Sequence, residues 1–562
     1  MPGLRSGTRW TTTSQSGRLT LAGIHHDERA APRRYVHRTE TAVLTYDGFP
    51  LLPIAEAWDA GRLAERWNDL PGLLEGSAAV IRAELATDAV EIVTDPVGML
   101  RVYRASLEDG GYVVSNSLLA LRHLLERAEL DEEAAADFVT LGWVVGRGTL
   151  VRDVEVVPGG AVTTIGVDRI ESRPYFGLDT LAPRVQTRRR PLAETVDALC
   201  ALLHPLRAAD IDVRAALTAG RDSRVTFALL RHAGVDAVYF TGGDPNEPDV
   251  QIAALLARRF GVQHEIDVPA DLLAGDIDDA IRAFVDHTDG LASFEQLRDV
   301  GGILANPTVL PVTVSGVGGE LARSGTGNLA AFAANAWPLA RVEAFQLRVL
   351  EAKARSTIAS SDALAATRGR IRSELTAYRE AGWPTAGLGD AFYLFQRIGR
   401  WAVNATRSAS ASGDLVAPLV SRPFIEAAVA GAPADHYAES LHRALLRHVD
   451  PALPEIAFEV PWRTGHARLA PVLVMRDAVA LARLKVGRPP PFFNASWENH
   501  VAAVWQAQRP LHEALLARTT NDRLFTIVDR GSFADAVAGS SPPAPDVQRA
   551  LSLLWAFSDD AS

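Results

Sequence analysis

The chain has 562 residues and is 48% hydrophobic, enough for two or more domains with sizeable cores. A formal charge of −11 works against a nucleic acid partner, and the single cysteine, Cys200, excludes an internal disulfide and a cysteine-based metal site. No early stretch has the apolar core of a signal peptide and no run of about 18 apolar residues exists for a membrane helix, so a cytoplasmic protein without a membrane span is expected.

Up to about residue 185 the chain reads as short strands punctuated by Gly, Pro and Asp. Tyr46-Asp-Gly-Phe-Pro50, Asp95-Pro-Val-Gly-Met-Leu-Arg-Val-Tyr103, Tyr112-Val-Val-Ser-Asn-Ser117 and Leu150-Val-Arg-Asp-Val-Glu-Val-Val-Pro-Gly-Gly160 carry this pattern. A polar, proline-bounded run from Leu181 to Pro191 then reads as a linker, and its Arg188-Arg-Arg190 as a solvated stripe. Leu192 to Leu203 follows as an apolar helix in which Cys200 is expected to be a buried, inert thiol.

Ala215-Ala-Leu-Thr-Ala-Gly-Arg-Asp-Ser-Arg224 has the form of a buried strand running through a glycine turn into a helix. At such a turn the first N–H groups of the helix point outward, and Thr218, Gly220 and Ser223 can surround an anion. Asp222 would repel a bare phosphate, so it fits best with Mg²⁺ between carboxylate and phosphate. On this motif alone, a plain strand-to-helix connection with an Asp/Ser cap remains an equal alternative. A second strand, Val235-Asp-Ala-Val-Tyr-Phe-Thr-Gly-Gly243, completes a βαβ unit, followed by a helix from Asp249 to a Gly261 stop and a strand at 262–266. Val309 to Val314 predicts a further strand, which enters a second glycine turn, Ser315-Gly-Val-Gly-Gly-Glu320. Ligands of open parallel sheets bind beyond the carboxyl ends of strands, so both turns can face one crevice, with Glu320 a second metal carboxylate.

Together these segments resemble the synthetase domain of the asparagine synthetase superfamily, whose members activate a carboxylate as its adenylate on an ATP pyrophosphatase fold. Asp249, Ala253, Gly261 and His264 fall where that resemblance places a helix and strand, and 390–401 is similar to its helical region and 416–424 to its P-F/L-L-D-type segment. The earlier strands resemble, in order, the family's glutamine amidotransferase-like β-sandwich. The resemblance implies an α/β protein with such a sandwich at 1–185 and a doubly wound ATP-binding synthetase domain with a helical extension at 186–562. It implies ATP and Mg²⁺ as cofactors, with Leu217, Thr218, Gly220, Asp222, Ser223, Thr241, Ser315 and Gly316 around the nucleotide and Asp222 and Glu320 on the metal.

Departures from the family pattern direct the functional expectation. Glutaminase activity needs a cysteine after the initiator Met, and residue 2 is Pro. Ammonia from glutamine is therefore not expected, and the attacking amine would belong to the substrate, as in lasso peptide cyclases and β-lactam synthetases. The family's C-terminal catalytic lysine has few counterparts, since Lys353 and Lys485 are the only lysines. Arg463 stands nearest the expected place, with Lys485 the alternative, and either is also readable as a surface cation. Tyr393, Arg397 and Arg400 have the spacing of one helical face, which either lines a pocket or pairs a packed tyrosine with surface arginines. Arg221 and Arg224 add positive charge beside the phosphate turn.

The expectation is an ATP-dependent carbon–nitrogen ligase that closes an intramolecular amide, most simply a macrolactam in a lasso peptide. Its substrate would be a precursor peptide, and its partners a leader peptidase and a leader-recognition protein. A β-lactam synthetase-like enzyme, an ammonia-dependent asparagine synthetase and a non-catalytic peptide-binding scaffold are the alternatives.

Overall fold

The computed structural model describes residues 8–25, 35–53, 59–108, 110–125, 127–185, 187, 190–207, 211–267, 275–300, 311–323, 338–409, 413–458, 462, 495–519 and 522–557. Within them the chain is an α/β protein with antiparallel sheets early and one parallel sheet later. Alternating burial in strands such as Ala161–Ile165 gives each of them one face for the core and one for solvent.

Six antiparallel strands make the largest sheet, in the order 170–174, 161–165, 89–94, 75–84, 42–51 and 36–38. A three-stranded sheet pairs Tyr103–Ser106 with both Tyr112–Ser115 and Val154–Val156, and Thr8–Thr13 pairs with Thr20–His25. The segment 95–100 between two of these strands is held from inside. Asp95 is fully buried and accepts hydrogen bonds from the N–H groups of Val97, Met99 and Leu100, while burial raises its pKa to about 6.

The parallel sheet has the order His264–Asp267, Val238–Gly242, Val213–Ala216, Val312–Val314, Asp414–Val416. From the central strand, Val213–Ala216, the chain first adds strands to one side and then, with Val312–Val314, to the other. The carboxyl ends of those two neighbouring strands are therefore the topological switch point of the sheet, the place where open parallel sheets bind their ligands. Helix Arg221–His232 follows the central strand, and helix Pro248–Phe260 ends at Gly261, which takes the left-handed φ of 65° that glycine adopts without cost.

Cys200 is buried in helix Leu192–Leu203, as its apolar surroundings imply, and burial with nearby Asp197 raises its thiol pKa to about 11. One continuous apolar core runs from Tyr35 to Ile456, so the antiparallel and parallel sheets share it. A second core joins residues 103–156 to 277–297 and to helices between 504 and 557. No described helix is long and apolar enough to cross a membrane.

Candidate active site at the switch point

The turn leaving the central strand is braced by its own polar groups. Ser223 Oγ accepts from the Thr218 N–H at 3.1 Å and lies 2.9 Å from Thr218 Oγ1, which accepts from the Gly220 N–H at 3.0 Å. Asp249, at the start of the next helix, accepts from the Ala219 N–H at 2.9 Å. Ala219 is not among the residues with positive φ, so the methyl group carries no backbone strain there. Gly220 caps helix Arg221–His232 without any side-chain bond, and the N–H groups of Asp222 and Ser223 have no hydrogen-bond partner among the described residues. Such a helix start favours an anion.

The second glycine turn packs directly onto the first. A Cβ at Gly316 would lie 2.8 Å from both the Asp222 carbonyl carbon and the Ser223 nitrogen. Gly318 has φ +97°, and a Cβ there would meet Leu419 O at 2.8 Å, while one on Gly319 would strike the Asp222 carboxylate. Gly316 and Gly319 are needed for close approach, and Gly318 for its left-handed backbone as well. Ser315 joins the sheet through its N–H to Val416 O, and its Oγ accepts from Val317 N–H at 3.3 Å.

Below the turn, Thr241 is buried and its hydroxyl donates to Leu217 O at 2.5 Å, with His264 Nε2 2.8 Å away. Leu217 is also buried, and its N–H donates to Phe240 O. Thr241 and Leu217 thus secure the floor of the crevice through backbone and hydroxyl groups.

Asp222 sits at the centre of a charged cluster. Its Oδ2 accepts from Arg323 and its Oδ1 lies 2.7 Å from His442 Nε2. Burial opposes its charge, but His442 and Arg323 outweigh burial and hold the carboxyl below the usual carboxylate range. The same Arg323 guanidinium is 3.9 Å from Glu320 Oε1, and Tyr393 donates its O–H to Glu320 Oε2 at 2.6 Å. Burial, followed by the Glu320 charge, pushes the Tyr393 phenol far up, so it stays a neutral donor.

Asp222, Glu320, Thr218, Gly220, Ser223, Ser315, Gly316 and Tyr393 therefore belong to one neighbourhood. Arg463 and Lys485 lie outside the described residues. Among the described residues no group of three or more His, Cys, Asp or Glu side chains converges as a metal site. The two carboxylates do converge on one cation, and that cation is Arg323. Two acidic groups of this kind suit a divalent ion whose remaining ligands are phosphate and water, provided that the guanidinium gives way.

The neighbouring arginines are committed elsewhere. Arg221 pairs with Glu439 at 2.5 Å and lies over the Trp462 ring. Arg224 is wholly buried and turned to the carbonyls of Leu453, Ile456 and Ala457, with Phe458 3.5 Å from its guanidinium carbon. Residues Tyr393–Ala402 form a π-helix. Its wider winding separates Arg400, which is buried beside Arg101, from the Tyr393 face, whereas Arg397 lies over Trp401 with its guanidinium carbon 3.4 Å from the ring.

Arg323, His442 and Lys353 are the site residues that motif reading does not single out. Arg323 lies three residues after Glu320, where a helical spacing could have marked it. His442 approaches from a helix 220 residues away and leaves no local signal. Lys353 is half-buried near Arg397, Arg355 and Glu320, where burial and the two arginines lower its pKa. No protein-family model matches the chain, and no curated protein matches it. The fold and site define an α/β protein with two glycine turns packed together at the switch point of a parallel sheet.

Proposed function

We propose that the protein is an ATP-dependent amide-forming ligase that adenylates a substrate carboxylate and closes an intramolecular amide, with macrolactam formation in a lasso peptide as its reaction. The observation that carries this reading is the apposition of the two glycine turns at the switch point, with an uncapped helix start and two carboxylates in one crevice.

In this proposal Thr218, Gly220 and Ser223 cradle the phosphates of ATP, and the backbone around Leu217, Thr241, Ser315 and Gly316 holds the adenosine. Mg²⁺ held by Asp222 and Glu320, with Arg323 displaced, would supply charge neutralisation on the triphosphate. Arg323, released from Asp222, would then offer its permanent positive charge to the departing pyrophosphate. Tyr393 orients Glu320 through its hydroxyl. The substrate carboxylate attacks the α-phosphorus and pyrophosphate leaves; an amine of the same molecule then attacks the acyl carbon, AMP leaves, and the amine proton passes to solvent. Holding amine and acyl group together replaces a bimolecular step by an intramolecular one, worth about 7 kcal/mol or more in favourable cases.

The test is incubation of the full chain with Mg-ATP and a leader-processed precursor peptide, followed for AMP, pyrophosphate and peptide mass. AMP release with loss of one water from the peptide is the expected result, and Asp222→Asn should lower turnover at least about a hundredfold. AMP formed only with a small amino acid would move the reaction to the β-lactam or asparagine type.

A second reading, a non-catalytic peptide-binding scaffold, is favoured by one observation. Both Asp222 oxygens are already engaged, by Arg323 and His442. For a scaffold, Asp222→Asn would leave peptide binding intact and no AMP would form with any variant.

A further inference from the structure

Apart from the phosphate turn, a cavity of about 590 Å³ lies where Gly142, residues 291–297 and residues 401–405 meet the helices Ala495–Arg518 and Pro545–Phe557. That volume is within the range of small-molecule and peptide sites. Trp401, Phe294 and Trp505 supply its apolar wall. Gly142, at φ +89°, keeps the wall open, because a Cβ there would lie 3.2 Å from Arg549 Nη1 and 3.3 Å from Trp401 Cδ1.

The polar lining has a fixed donor and acceptor pattern. Trp555 Nε1–H donates to His512 Nδ1 at 2.9 Å, which places the imidazole proton on Nε2, 3.4 Å from Gln508 Oε1. Burial lowers the His512 pKa to about 3, so the ring stays neutral and this order does not reverse at ordinary pH. Gln508 is only 4% exposed, yet its amide NH₂ has no partner among the described residues and remains for a ligand acceptor. Asn404 and Gln548 have the opposite order. Their NH₂ groups donate to Gly142 O at 3.4 Å and Pro543 O at 2.9 Å, so their carbonyl oxygens remain as acceptors. Arg549 donates from Nε to Val139 O at 2.9 Å, and its two terminal nitrogens have no hydrogen-bond partner among the described residues.

A peptide unit needs a donor for its C=O and an acceptor for its N–H, which Gln508 and the Asn404/Gln548 pair provide. The three aromatic rings suit an apolar side chain, and the terminal nitrogens of Arg549, which feel the charges of Asp546 and of the cavity-lining Glu295 but hydrogen-bond to neither, suit a carboxylate. We propose that this cavity binds a short peptide segment carrying an apolar side chain and a carboxylate, holding it beside the helix that positions Tyr393. Trp401 is eight residues beyond Tyr393 in the chain, and Arg397 stacks on it between the two. The cavity's role as a substrate subsite rests on the ligase reading; its binding of peptide does not.

The experiment is calorimetric titration of the full chain, without ATP, using N-acetyl-glycyl-phenylalanine and its C-terminal amide as probes. The free acid should bind and the amide should bind at least about tenfold more weakly. Ala405→Phe, which places a ring in the cavity, should abolish binding, and Arg549→Met should erase the preference for the acid. Gln508→Leu should weaken both probes, and each variant is read only where its melting curve matches the native one. Failure of the native chain to bind the acid at millimolar concentration, or equal affinity for acid and amide, overturns the proposal, as does unchanged binding in a folded Ala405→Phe or Gln508→Leu variant. Peptide binding without AMP release in the earlier assay sinks the ligase reading alone, whereas AMP release without peptide binding sinks the cavity proposal alone.

Discussion

Gly316 has no side chain to offer, and its value lies in what that permits. Its α-carbon backs onto Asp222 and Ser223, so the two turns of the crevice touch through backbone. Ala at this position would force backbone atoms apart, because none of the clashing atoms is the end of a flexible side chain. Gly316→Ala should therefore cost about 1–3 kcal/mol in urea unfolding and reduce any AMP-forming turnover. Cys200 provides a contrasting case. With its thiol buried and its pKa near 11, it should react with a thiol reagent in the native protein far more slowly than in urea, and rapid native labelling would contradict its place in the core.

At the level of elements, helix Arg221–His232 is anchored at its start by a residue pointing away from the crevice. Arg224 donates to three carbonyls between 453 and 457 and remains cationic at neutral pH, although burial and Arg221 pull its pKa down to about 9. Arg224→Met would keep the volume but orphan those carbonyls. A loss of about 2–4 kcal/mol in chemical denaturation is expected, with faster proteolysis near residue 455. Four of the five parallel strands and the helix ending at Gly261 are legible in the chain because apolar runs and glycine stops are local signals, whereas the edge strand Asp414–Val416 is only three residues long and carries no such run. The switch-point location of both turns follows from their position after strands. The partners of Asp222 were not legible in the same way. His442 arrives from a distant helix, and Arg224 resembles a crevice cation in the sequence while packing shows it spent on carbonyls. The π-helix at 393–402 also changes which side chains share a face, and spacing alone assumes the tighter α winding.

On the scale of the whole molecule, the early sheet and the later helices are joined by buried charge. Arg422 donates to both oxygens of Glu75 from its backbone N–H, at 3.0 Å, and its guanidinium, at 2.5 Å. Burial outweighs Arg422 and raises the Glu75 pKa to about 7. A carboxyl whose pKa is higher in the folded than in the unfolded chain binds more protons when folded. Its contribution is full below the unfolded value near 4.5 and is lost as pH rises toward 7. The stability advantage of the native chain over Glu75→Gln should therefore narrow between about pH 4.5 and 7.5, which urea midpoints across that range would measure; an advantage that widened would contradict burial as the cause.

The second apolar core has a consequence for how the chain is made. Helix Glu132–Leu141 packs against helix Pro545–Phe557, so surface produced early in synthesis is covered by residues translated some 400 positions later. At roughly 5–20 residues per second, that surface stays uncovered on the ribosome for on the order of 20–80 seconds. The nascent chain must carry an exposed greasy patch through most of its own translation, a window in which a chaperone would have to stand in for a helix not yet made.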